Sequence, residues 1–341
     1  MTPHYLNTLW GGGSFPYTQR YRDETDIDMK KTLILGTRRS QLALAQSEYI
    51  RDRLVRAHPG LSVSFRPIIT EGDKSQTVDV PLPPTGLKGL WTFEMEQLLE
   101  SGDIDIAVHS LKDVPTLMGQ QFVIAAIPER EDRADVLISR DNVSFFDLPR
   151  GVTVGTSSLR RGAQILRARP DLRVEVIRGN VDTRLKKLDD HRGTFAAIVL
   201  AAAGLSRLGL SGRITEYFSE EVMVPSAGQG ALAVQCLRER EEVVRLLAPI
   251  HHSPTGIETT AERAFTDGLG AGCNAAVGAS ARVLEGGLLS IVTRCLSNDG
   301  SSVIDFSETA PVGDAERLGR ELAARVVGRE DGVHLIAASH G

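Results

Sequence analysis

The sequence predicts an α/β protein that ends in a small α+β domain. Two observations carry the first part. Short apolar runs alternate with amphipathic stretches from Thr32 to Leu210, and the joins between them are Gly-, Ser- and Thr-rich turns that lead straight into helix starts. A third observation carries the second part: beyond His251-His252-Ser253-Pro254 the alternation gives way to a hairpin pattern.

Thr32-Leu33-Ile34-Leu35 reads as a strand and Gly36-Thr37-Arg38-Arg39 as the turn after it. Ser40 is a good N-cap, since its hydroxyl satisfies a free N–H of the first helical turn. The helix that follows keeps Leu42, Ala45, Tyr49 and Leu54 near one face and stops at Pro59-Gly60. Val63, Phe65 and Ile69 alternate with polar neighbours, as in a strand. A long Pro- and Gly-rich segment from Thr70 to Gly89 reads either as a cover over a cleft or as a surface excursion. Trp91 to Leu99 reads as a helix. Ile104 to Val108 is a strand running into His109-Ser110-Leu111-Lys112-Asp113-Val114-Pro115.

Val152-Thr153-Val154 is a strand, Gly155-Thr156-Ser157-Ser158 a turn, and Leu159-Arg160-Arg161 opens a helix. The unit recurs as Val174–Ile177, Arg178-Gly179-Asn180 and Val181-Asp182-Thr183-Arg184. Ala196 to Ala201 is a further strand, followed by Gly204-Leu205-Ser206-Arg207. Such alternation implies parallel sheets covered on both faces. Pro225–Gly230 leads into a strand from Ala231 to Cys236. In the last third, a helix around Ala261 precedes a glycine-rich loop. Leu288–Leu296 and Ser302–Phe306 flank Asn298-Asp299-Gly300, and a closing helix from Asp314 to Val327 aligns Leu318, Leu322 and Val326.

The 341 residues allow two or three domains, and 41% hydrophobic with 24% charged residues is ordinary for a globular protein. The net charge of −5 makes the basic clusters local and argues against general nucleic-acid binding, which needs a broad basic face. Cys236, Cys273 and Cys295 are widely spaced, without metal-ligand spacing, and point to a reducing compartment. No apolar run approaches a membrane span. Residues 1–28 lack the apolar stretch of a signal peptide and are expected to be a flexible extension, with Met29 an alternative start.

Two successive strand–turn–helix units carrying arginines suggest a ligand with several negative charges. Helix N-termini attract anions, and the arginine fork holds carboxylates in two bonds. Open α/β sheets bind their ligands at the carboxyl ends of strands, where these arginines lie. Asp113, just past a strand end, reads equally as a turn residue and as a carboxylate that stabilises a cation or moves protons. His109 reads as a structural hydrogen-bonding residue. Cys273 lies in Gly268-Leu269-Gly270-Ala271-Gly272-Cys273-Asn274, where it is either buried and inert or an accessible attachment point. Cys236 and Cys295 read as buried. A phosphate-using transferase is disfavoured, because no Gly-rich P-loop with its lysine is present.

In this order, Gly36–Ser40, Val108–Pro115, Val154–Arg161, Arg178–Arg184, Ala203–Arg207, Gly228–Gly230 and Ala261–Ala264 closely resemble the hydroxymethylbilane synthase (porphobilinogen deaminase) family. The resemblance is dense from about Lys31 to Gly230 and thinner after Leu284. It implies two similar type-II periplasmic-binding-protein-like α/β domains with the cleft between them, plus a small C-terminal α+β domain. The implied divisions are 1–30 (flexible extension), 31–130 with 229–249, 131–228, and 250–341. Cys273 matches the cysteine that holds a dipyrromethane cofactor by a thioether, and Asp113 the catalytic aspartate. Lys112, Ser158, Arg160, Arg161, Arg184 and Arg207 match cofactor-binding residues; Arg38, Ser40, Arg178, Asn180, Gln229 and the mobile-loop Lys88 match substrate-binding ones. The implied enzyme is a cytoplasmic monomer that needs no metal, nucleic acid or membrane. It links four porphobilinogen molecules by loss of ammonia and releases the chain with water. Three positions depart from the pattern: Phe93 replaces a basic residue, Gln41 stands where proline is common, and Asn274-Ala275-Ala276 follows the cysteine. Two rivals remain. One is a solute-binding or sensor protein of the same cleft shape, which needs neither Asp113 nor Cys273; the other is a catalytically weakened relative.

Overall fold

The apolar runs become the inner strands of separate sheets. The computed structural model describes residues 32–68, 92–270 and 275–337, so Lys88, Cys273, the long Pro/Gly loop and the N-terminal extension lie outside the described residues. The first unit contains β1 (Thr32–Arg38), α1 (Gln41–Ala57), β2 (Ser62–Ile68), α2 (Phe93–Glu100), β3 (Ile106–Ser110) and β4 (Phe122–Ala126). The second contains β5 (Asp135–Ser139), β6 (Thr153–Gly155), α3 (Leu159–Ala168), β7 (Arg173–Glu175), α4 (Val181–Asp189), β8 (Phe195–Ala201), α5 (Ala202–Arg207) and β9 (Glu216–Tyr217). The chain then returns through β10 (Leu232–Leu237) and α6 (Glu241–Leu247). The last unit is α7 (Ser253–Gly268), β11 (Ala276–Leu284), β12 (Leu288–Leu296), β13 (Val303–Pro311), α8 (Ala315–Val327) and α9 (Glu330–Ala337).

The first sheet runs β2-β1-β3-β10-β4 and the second β7-β6-β8-β5-β9. They are equivalent strand for strand: three parallel strands, then one antiparallel strand, then an edge. Two similar α/β domains, with a small third domain built on a three-stranded antiparallel sheet, are thus the architecture of the chain. Alternation alone implied fully parallel sheets. Each sheet instead holds one reversed strand, β10 or β5, because these two strands are where the chain enters from the other sheet.

Local chemistry sets the ends of the elements. The Ser40 hydroxyl accepts from the Ala43 N–H at 3.2 Å, which starts α1, and Gly60 turns the chain after it at φ +95°. β3 begins later than the apolar run, since Asp105 spends its carboxylate on the Ile34 N–H at 2.8 Å. The hairpin Asn298-Asp299-Gly300 joins β12 to β13, as read from sequence, but β13 continues to Pro311. Leu33, Leu35, Ile50 and Val234 form the first core, Leu137, Phe145 and Val199 part of the second, and Phe265, Ile291 and Leu322 the third. Cys236 and Cys295 are buried in these cores, and burial pushes each thiol up to about 12, so both are inert at neutral pH.

The two domains are joined by crossings at residues 127–134 and 218–231, and α7 holds both. Glu262 is fully buried. It accepts from Arg130 Nη1 at 2.8 Å on the first crossing and from the Gly228 N–H at 2.7 Å on the second. Arg130 also donates to the Gln229 carbonyl at 2.6 Å. At Gly230 the crossings touch: φ is +85°, and a Cβ would lie 2.3 Å from the Glu131 carbonyl oxygen. Gly230→Ala is therefore expected to destabilise the protein by about 2–5 kcal/mol, through strain and backbone overlap, as a lowered urea midpoint will show.

Candidate active site

Strand-to-helix joins of both domains meet at one place. Arg38 closes β1, Ser40 opens α1, and the turn Leu111–Asp113 follows β3. From the second domain come Arg161 on α3, Asn180 and Arg184 around the start of α4, and Arg207 at the end of α5. All of these except Leu111 line one cavity of about 280 Å³, together with Gly228 and Gly230 of the second crossing. Lys112 and Asp113 line it side by side.

The cavity's cations rest on one carboxylate behind them. Asp135, the first residue of β5, is fully buried. It accepts from Arg160 Nη1 at 2.6 Å, Arg161 Nε at 2.8 Å and Gln229 Nε2 at 3.0 Å. Burial alone would raise its pKa; the two guanidiniums outweigh that and hold it well below the usual carboxylate range. Gln229 turns its other end to the cavity side, where its Oε1 accepts from Lys112 Nζ at 3.2 Å. Burial, and then the Arg161 charge, push Lys112 down to about 8. Burial and Arg161 likewise bring Arg184 down to about 10, and burial lowers Arg161 and Arg207. Each of these cations is depressed by desolvation, so an anionic ligand entering the cavity meets charges that gain from being paired.

The sequence-predicted residues divide accordingly. Arg38, Ser40, Lys112, Asp113, Arg161, Asn180, Arg184 and Arg207 come together at the cavity. Arg160 does not line it; it is buried against Asp135 and the Val224 carbonyl. Ser158 caps α3, accepting from the Arg161 N–H at 3.4 Å, and Gln229 is buried behind Lys112. Arg178 is half-buried outside the lining. Phe93, the departure from the family pattern, is exposed at the start of α2 and not in the lining. His109 is the structural residue expected: its Nε2 lies 2.9 Å from Gln235 Oε1, and burial lowers it to about 4. Asp135, Glu262 and Arg263 were missed as contributors. The signal for Asp135 was present, a carboxylate directly before the apolar run Val136-Leu137-Ile138 and close behind Arg133.

A two-domain α/β cleft whose facing strand ends are lined with desolvated cations defines a binder of a polyanionic ligand. Residues 33–245 match the family model described as porphobilinogen deaminase, dipyromethane cofactor binding domain, and residues 257–328 the one described as porphobilinogen deaminase, C-terminal domain. The curated porphobilinogen deaminase of Syntrophotalea carbinolica is 46% identical over 87% of this chain and 93% of its own, and that of Shouchella clausii is 44% identical over 89% and 96%. Among solved structures, the methionine binding protein MetQ is similar at TM-score 0.42 and 15% identity, over 67% of this chain and 93% of its own. The chain belongs to the porphobilinogen deaminase family. It is a transferase of the hydroxymethylbilane synthase type with a dipyrromethane cofactor.

Two tests follow from the electrostatics. Asp135→Asn leaves two buried guanidiniums without their carboxylate and is expected to cost about 3–5 kcal/mol. In the parent the folded-state pKa of Asp135 lies below its unfolded value, so this stability is present above the ordinary carboxylate pKa and is lost as the pH falls below it. Acid unfolding of the Asn variant will lack that component. Lys112, in turn, loses its proton as the pH rises through about 8. Acquisition of the cofactor by cofactor-free protein incubated with porphobilinogen, read as intact mass, should weaken over that range, and Lys112→Arg, which keeps its charge, should remove the dependence.

Proposed function

We propose that this chain deaminates porphobilinogen and joins four molecules head to tail, then releases the linear tetrapyrrole, with the residues at the cleft in specific roles. The carrying observation is that Asp113 lines one cavity together with Arg38, Lys112, Arg161, Arg184 and Arg207. The donor set suits the cofactor, because each pyrrole ring brings two carboxylates and Lys112, Arg161, Arg184 and Arg207 are short of solvent. Lys112, Arg161, Arg184 and Arg207 would hold dipyrromethane, with Cys273 as its thioether anchor. The cofactor, when bound, supplies the nucleophilic pyrrole carbon at which the chain starts. Ser158, Arg160 and Gln229 act from behind: Ser158 caps the helix carrying Arg161, Arg160 shares Asp135 with it, and Gln229 steadies Lys112.

Arg38, Ser40 and Asn180 bind the incoming porphobilinogen, the last two beside helix N-termini that favour carboxylates. Arg178 and Lys88 complete that set. Asp113 accepts the pyrrole N–H and offsets the positive charge that develops as ammonia leaves the aminomethyl group. It then takes up the proton released when the new carbon–carbon bond restores the ring. The same reading divides the chain into 31–130 with 229–249, 131–228 and 250–341, supported by the place of β10 in the first sheet. It carries a monomeric cytoplasmic enzyme without metal, nucleic-acid or membrane partners. Among the described residues no helix is long and apolar enough to cross a membrane.

Intact mass under denaturing conditions tests the reading. The chain should exceed its sequence mass by two deaminated porphobilinogen units mapping to Cys273, and Cys273→Ser should lose them. Asp113→Ala should keep the adduct and lose about 10²–10⁴-fold in turnover. A chain that neither carries the adduct nor acquires it from porphobilinogen would instead be a cleft protein that binds anions.

A further inference from the structure

Arg263 lies on α7 of the third domain, and its side chain leaves that domain. Only 6% exposed, it runs under the turn that carries Asp113. Nη1 donates to the Leu111 carbonyl at 3.2 Å and to the Val114 carbonyl at 2.9 Å; Nη2 donates to the Pro115 carbonyl at 2.8 Å. These three carbonyls bracket Lys112 and Asp113 on both sides. The turn is a single short 3₁₀ segment, Leu111–Asp113, closed by the Val114 N–H on the Leu111 carbonyl. Leu111 and Val114 point into the core at 0% exposure, which leaves Lys112 and Asp113 to the cavity.

The geometry explains the residue type. Three carbonyls at the end of a strand diverge, and a planar fork with several N–H groups reaches all of them from one side. Burial lowers the Arg263 pKa to about 10, so the charge that strengthens these bonds is present at neutral pH. Its neighbour Glu262 grips both domain crossings, through Arg130 and the Gly228 N–H. Adjacent residues of one helix therefore reference the Asp113 turn to the frame that joins the two domains.

We infer that Arg263 is a positioning residue for Asp113, holding the catalytic turn at a set place in the cleft from the third domain. This rests on the role of Asp113 proposed above. A displacement of about 1 Å at a reacting group can cost about 100-fold in rate with little effect on binding. The bonds to Leu111, Val114 and Pro115 go to backbone carbonyls of the turn that carries Lys112 and Asp113.

The test uses the cofactor-loaded enzyme and porphobilinogen, comparing Arg263→Met, Arg263→Lys, Asp113→Glu and the Arg263→Met/Asp113→Glu pair. Intact mass confirms the adduct in each. Arg263→Met should lower kcat by about 100-fold with KM within about threefold, and Arg263→Lys should recover about tenfold of that. In the Asp113→Glu background, Arg263→Met should add little further loss, since the two act through one group. A wild-type kcat in loaded Arg263→Met, or losses that multiply in the pair, overturns the inference. If Arg263→Met does not fold, Arg263→Lys and its Asp113→Glu pair decide by the same criteria, and a wild-type kcat there overturns it. A parent enzyme that makes no product from porphobilinogen fails the functional reading instead, and is told apart by that control.

Discussion

One buried carboxylate organises the cleft. Asp135 begins the strand by which the chain enters the second domain, and it has no water to solvate its charge. Arg160, Arg161 and Gln229 supply that solvation instead. The cost of burying three charges is met only because the bonds are short, paired and nearly complete. The benefit is positional. Arg161 is fixed with its charge near the cavity, and Gln229 carries the order on to Lys112 across the domain boundary. The cations of the site are held by structure before any ligand arrives, which is what electrostatic preorganisation requires.

The third domain is a part of this arrangement. Its helix α7 contributes Glu262 to the two crossings and Arg263 to the Asp113 turn, and its strand β11 gives the Ala281 N–H to the same Glu262 at 2.9 Å. On the far side, Arg294 of β12 donates to Gln164 and to the Glu221 carbonyl of the second domain. A domain whose described residues do not line the cavity thus sets where the others meet. Lys112, Arg161, Arg184 and Arg207, which do line it, are depressed cations, and the enzyme's anionic, growing product is the species best suited to relieve them.

Much of this was legible in the chain. The strand–turn–helix units, the N-cap Ser40, the hairpin at Asn298-Asp299-Gly300 and the inert cysteines follow from local patterns whose causes are local: hydrophobic period, cap chemistry and turn residues. The reversed strand in each sheet was not, because direction depends on where the chain comes from, and that is a long-range fact. Nor was the split among the arginines. Arg160 and Arg161 are neighbours in sequence at the same helix start, yet only Arg161 lines the cavity, since the helix turns their side chains about 100° apart and Asp135 captures both from one side.

What the sequence determined by itself was the fold class, the elements and the kind of chemistry: an anion-binding cleft with Asp113 at a strand end. Tertiary structure alone decided which candidates touch the cavity, which stand behind it, and that Glu262 and Arg263 belong to the site at all. The physical reason is burial. A charged side chain takes its role from the partner that replaces its water, and for Asp135, Gln229 and Arg263 those partners lie far off in the chain and are chosen only when the domains pack.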